Sequence, residues 1–173
     1  MADRPGPSVV IVAGVSGSGK TTVGRLLAER LGWEFADADD FHPLNNLSNM
    51  RRGIPLTDAD RMPWLRDLAA WIELRLTSGT PGVLACSALK RAYRDLLVRD
   101  PEQVRLVYLD GDRDLIEQRM SQRRGHFFAA HMLDSQYRDL EPPGADEHPV
   151  EVSVRRSPEE NVGHIVRALG LAT

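Results

Sequence analysis

This chain of 173 residues has a single cysteine, Cys86. One thiol forms no internal disulfide and builds no cysteine-rich zinc site, so neither device holds the fold. Lysine is almost as scarce: the basic residues number 22, and all but Lys20 and Lys90 are arginines. Where nearly every cation is a planar guanidinium, a retained ammonium marks a place that needs a compact charge. Excess positive charge is missing too, with a net charge of -3. That argues against a nucleic-acid partner, which needs a basic stripe on the protein. No apolar run approaches the roughly 20 residues of a membrane span. The start "MADRPGPS" has no apolar segment behind a basic one, so the expectation is a cytoplasmic protein with no membrane partner.

What is present is ordinary for a globular domain, with 42% hydrophobic and 27% charged residues. No repeat or composition break divides residues 1–173, so one domain is expected. Short apolar runs alternate with helical patterns. Strands are expected at 9–13, 33–37, 83–87, 104–110 and 150–154, and helices at 20–31, 58–78, 92–99, 112–123 and 158–169. The runs at 9, 83 and 104 are apolar on both faces, as in strands covered on each side by helices. The run "VEVSV" alternates, which suits a sheet edge. Strand-helix alternation implies parallel pairing through right-handed crossovers and a three-layer α/β fold. Two stretches break the rhythm. Residues of about 41–64 and about 124–145 are too long and polar for simple connections, and such excursions serve as binding segments or lids.

The strongest local signal is "GVSGSGKT", Gly14 to Thr21, which fits G-x-x-x-x-G-K-S/T between a strand and a helix. In such a loop the N–H groups of Gly14, Val15, Ser16, Gly17, Ser18, Gly19, Lys20, Thr21 and Thr22 surround phosphate oxygens, and the helix N-terminus adds positive partial charge. Lys20 would reach the β- and γ-phosphates of ATP, and the Thr21 hydroxyl would ligate Mg2+. The base-reading Asn-Lys-x-Asp of GTPases is missing. A small kinase passing a phosphoryl group to a small acceptor remains.

"DADDF" supplies Asp37, Asp39 and Asp40 at the carboxyl end of the second strand. If the chain stays extended there, Asp37 and Asp39 share one side. One carboxylate of this turn could hold the metal ion, for which Asp37 is the candidate, and a second could take the acceptor's proton. A solvated acidic turn or a helix cap would carry the same letters. His42 follows this turn and is a candidate acceptor contact. Asp110 ranks below Asp37 as a metal carboxylate. In "CSALKRAYRD", Ser87 and Lys90 are candidate contacts to the acceptor or the transferring group, and Arg91 and Arg94 add charge nearby. A helix face of solvated arginines is the rival reading. Arg119 and Arg123, four apart on one helical face, would stabilise the transferring phosphoryl, with Arg124 beside them. His126 and His131 make a poor zinc pair, with no carboxylate or thiol in step with them.

Taken in order, "GVSGSGKTT", "DADDFHPLNN", "GIPLTDADRMPWL", "CSALKRAYRDLL", "RRGHFF" and "LDSQYRDLEPPGADE" resemble the small P-loop gluconate kinases, relatives of the shikimate kinases. The resemblance implies phosphorylation of D-gluconate by ATP at the 6-hydroxyl, a five-stranded parallel sheet of order 2-3-1-4-5, a closing lid, and a homodimer as the assembly common among such enzymes. It also implies Asp39 as acceptor-orienting base, Arg61 as a clamp on carboxylate or hydroxyl, and Gln136 as a further acceptor contact. Asn49 departs from the pattern, which carries lysine there; Arg51 or Arg52 would then supply the charge. Two readings remain beside this one: a kinase for another sugar acid or polyol, and a non-catalytic ATP-binding regulator on the same fold.

Overall fold

A computed structural model describes residues 6–171; the side chains at 124 and 126–128 lie outside the described set. The sheet has five strands, all parallel, in the order β2-β3-β1-β4-β5. They are β1 (Val9–Ala13), β2 (Glu34–Asp37), β3 (Gly82–Ala85), β4 (Val104–Asp110) and β5 (Val150–Ser153). Among the described residues seven α-helices surround them: α1 (Lys20–Leu31), α2 (Leu44–Arg51), α3 (Asp58–Ser78), α4 (Arg91–Leu97), α5 (Arg113–Arg124), α6 (His126–Asp139) and α7 (Pro158–Leu169). None of the described helices is long and apolar enough to cross a membrane.

The three layers follow from the period of two along β1. Val10 and Val12 join Val23, Leu27, Ile165 and Val166 on one side, while Val9 and Ile11 join Leu65, Leu68, Tyr93 and Leu97 on the other. Every residue of β1 and β3 is buried. Each large aliphatic side chain hidden there stabilises the fold by about 1.5–3 kcal/mol. β5 is an edge strand, with Glu151 exposed between buried Val150 and Val152.

Local chemistry sets the helix ends. Thr57 Oγ1 accepts from the Asp60 amide at 3.1 Å and Asp60 returns a carboxylate to the Thr57 amide at 2.9 Å, a reciprocal cap that starts α3 at the close of the first excursion. Ser157 caps α7 with Pro158 at its first position. The second excursion is mostly helix. Ala129 and Leu133 of α6 are fully buried, so its inner face belongs to the core rather than hanging free.

Candidate active site

β1 ends at the phosphate-binding loop. Gly14 has φ 152°, and a Cβ there would sit 2.8 Å from Ser18 Oγ and 3.2 Å from the Leu109 carbonyl. Gly19, at φ 97°, turns the chain into α1 in the left-handed region that glycine adopts without strain. Ser16 through Thr22 line a cavity of about 920 Å³. Gly14 and Val15 are buried beneath the loop; Val15 contributes its carbonyl, which accepts from Lys20 Nζ at 2.9 Å.

The acidic turn is not extended. Residues Ala38–Phe41 form a 3₁₀ turn in which Asp37 is the cap, its Oδ1 accepting from the Asp39 amide at 3.0 Å. Alternation therefore does not decide where Asp37 and Asp39 point; the turn does. Asp37 Oδ2 accepts from Thr21 Oγ1 at 2.8 Å. A hydroxyl and a carboxylate oxygen paired beside the phosphate loop form the hard-oxygen set that suits Mg2+, which takes few protein ligands and completes its shell with phosphate and water. Asp39 opens onto the same cavity. Surrounding protein raises its carboxyl above the usual range, opposed by Lys20. Burial lowers the Lys20 ammonium, opposed first by Asp39. The two groups hold each other in the charged form against the same dry surroundings. Asp110 is exposed on β4 and does not line the cavity.

The acceptor side is built from the first excursion. His42, Leu47, Met50, Arg51, Ile54, Arg61 and Trp64 all line the cavity. His42 lies on Trp64, with ring centroids 4.2 Å apart and planes 9° from parallel. The buried Arg61 donates to Tyr93 Oη at 2.9 Å and to Asp139 Oδ2 at 3.1 Å. Tyr93 Oη in turn donates to Asp58. Asn49 does not line the cavity, whereas Arg51 does. Arg51 is thus the nearer substitute for the charge of the expected lysine.

Ser87 lines the cavity, but Lys90 lies outside it, its Nζ donating to Asp58 Oδ1 at 2.9 Å. Arg94 is no surface charge. It is 2% exposed, pairs with Glu147 at 2.7 Å, and donates to the carbonyls of Ala88 and Leu89 at 2.9 and 3.2 Å. Ala88 stands at φ 43°, so Arg94 secures a strained turn between Ser87 and Leu89. Arg119 and Arg123 line the cavity, and Arg119 donates to the Val154 carbonyl at 3.1 Å. Gln136, expected as an acceptor contact, lines the cavity, and its Oε1 accepts from the Ser16 amide at 3.2 Å. Cys86 is buried, its thiol pushed up to about 12 by desolvation. Four residues that matter here escaped the sequence reading: Asn46, Tyr93, Asp139 and Glu147. Only Asn46 left a trace, four positions after His42 and so within reach of it across the entry to α2.

A cavity joining a phosphate loop to a polar acceptor face agrees with the relatives of this chain. The family model described as "AAA domain" matches residues 9–143. A Mus musculus protein named "Probable gluconokinase" is 45% identical, the match covering 94% of this chain and 98% of the relative. A "Gluconokinase" of Gluconobacter oxydans is 43% identical over 93% and 90% of the two chains. The crystal structure of a gluconokinase from Sinorhizobium meliloti superposes with a TM-score of 0.85 at 40% identity, covering 96% of this chain and 94% of that one. The chain belongs to the gluconokinase family of P-loop kinases.

Proposed function

We propose that this protein transfers the γ-phosphoryl group of ATP to the 6-hydroxyl of D-gluconate, giving 6-phospho-D-gluconate and ADP. The observation that carries the reading is the single cavity lined both by Ser16 to Thr22 and by His42, Arg51 and Arg61, with Asp39 on its wall. The phosphate donor and the hydroxyl acceptor need such a shared, enclosed space, because in-line transfer is chiefly positioning and charge stabilisation.

In this reaction the acceptor oxygen forms a bond to the γ-phosphorus as the bond to the β,γ-bridging oxygen breaks, and the hydroxyl proton passes to Asp39. The raised carboxyl of Asp39 makes it a better proton acceptor than an ordinary aspartate. Lys20 leaves the Val15 carbonyl for the phosphates, and Arg119 and Arg123 face the developing charge. Thr21 and Asp37 would hold Mg2+, which when bound neutralises the β- and γ-phosphate oxygens. Arg61 and Arg51 supply the cations for the acceptor carboxylate, to which the planar fork of arginine is matched.

A coupled ADP-release assay across gluconate, other sugar acids, polyols, shikimate and nucleoside monophosphates tests the proposal. Gluconate-dependent turnover is the expected result. ATP binding with no acceptor-dependent turnover would instead leave a regulator.

A further inference from the structure

The stacked His42 carries an unexplained constraint. Asn46 is 1% exposed on α2, a helix whose other side chains are open or half-open to solvent. Its Nδ2 donates to the Asp60 carbonyl at 2.8 Å. A carbonyl only accepts, so the amide cannot be turned the other way around. The second hydrogen of the same nitrogen faces His42 Nδ1 at 3.3 Å. Nδ1 must therefore be the accepting nitrogen of a neutral ring, which leaves the ring proton on Nε2.

From this geometry we propose that Asn46 is a positioning residue that holds His42 in one tautomer, as an Nε2–H donor to a hydroxyl of the acceptor. The inference rests on the kinase reading for the identity of that acceptor, while the tautomer itself stands on the hydrogen bonds alone. Two contacts fix the ring, and a third fixes its partner. Trp64 sets its plane, Asn46 sets its rotation and proton, and Trp64 is itself tied by Nε1 to the Ala38 carbonyl at 2.6 Å. Burial and the neighbouring Arg61 guanidinium both oppose a second proton on the ring, holding it down to about 4. A ring so held gives a hydrogen bond and takes no proton. The proton of the reacting hydroxyl is then left to Asp39, and His42 reads the polyhydroxy chain of the acceptor. Asn46 reaches the substrate only through His42, and through Asp60 it registers α2 against the start of α3.

The test uses the full-length protein with its histidine side chains labelled with 15N. Long-range proton-nitrogen spectra without ligand should show His42 as the neutral Nε2–H tautomer at pH 7. Asn46→Ala should yield a mixture of tautomers, and Asn46→Asp, which offers an acceptor to Nδ1, should move the proton toward Nδ1. In steady-state assays Asn46→Ala should raise KM for gluconate about tenfold, with KM for ATP unchanged. His42→Gln, which keeps an N–H donor, should retain more activity than His42→Phe. An Nδ1–H tautomer in the unmodified protein, or an unaltered tautomer in Asn46→Ala, would overturn the proposal. If the spectra behave as stated but gluconate is not turned over, the kinase reading fails and the tautomer assignment survives.

Discussion

At the scale of single residues, the site sets function against stability. Asp39 is held above the ordinary carboxylate range, so its ionised form destabilises the folded state once pH has risen through its folded value. Asp39→Asn should lower kcat by about 10²–10⁴ while raising the melting temperature at pH 7, a pairing that calorimetry and the ADP assay read together. In the intact protein kcat should fall on the acid side at a pH above that of a free aspartate. His42 works in the opposite sense. Its folded value lies near 4, below its ordinary 6.5, so the stability it contributes is complete above 6.5 and is lost as pH falls toward 4. His42→Phe, which keeps a ring on Trp64, should flatten the decline of stability across that window in denaturant titrations.

At the scale of elements, α6 carries two side chains that engage groups proposed above to hold the two substrates. Gln136 holds the Ser16 amide and, one turn on, Asp139 holds Arg61. Phosphate should displace the first and the acceptor carboxylate the second, so each substrate loosens the same helix for the other. Asp139→Asn keeps the shape and removes the competing charge. It should lower KM for gluconate several-fold, and should reduce the degree to which gluconate tightens ATP binding, as measured by calorimetric titration. The turn after β3 depends on a different pair. Arg94→Ala should cost about 1–3 kcal/mol, because the carbonyls of Ala88 and Leu89 lose their donor and Glu147 keeps only the more distant Arg91 at 3.6 Å and the Gly144 amide at 2.9 Å, whereas Ala88→Gly should relieve the left-handed strain and gain about 1 kcal/mol. Urea unfolding distinguishes the two.

These elements also show what the letters could and could not reveal. β1 and β4 were legible to the residue because strands apolar on both faces have few other places to go. The phosphate loop was legible because its glycines and lysine occur in one fixed spacing. The acidic turn was legible in its letters but not in its shape, since alternation presumes an extended chain and Asp37 instead caps a 3₁₀ turn, with both Asp37 and Asp39 still on the cavity. Arg94 read as added charge near the site, with a solvated helix face as the rival, because its partner, Glu147, lies 53 residues away. Lys90 gave a similar lesson, its expected substrate contact replaced by Asp58.

At the scale of the whole molecule, ligands held as proposed would span both sides of the cavity and should bind only the folded chain. With gluconate and a nonhydrolysable ATP analogue each at 100 times its Kd, independent binding adds about 2.7 kcal/mol of stability per ligand. Coupling through α6 should make the joint effect larger than that sum, while removing Mg2+ with a chelator should abolish most of the nucleotide's share. Thermal shift in the four combinations measures this.

The solitary thiol of Cys86 offers a clock for motion at the same place. It is sealed at the end of β3 beside Lys20, and its reluctance to ionise makes it unreactive in the closed fold. A thiol reagent can label it only during excursions that open the floor of the cavity. The labelling rate therefore counts those openings in an unmodified protein, with no competing cysteine to confuse the signal, and its slowing by each substrate would time how often an idle enzyme comes apart at its centre.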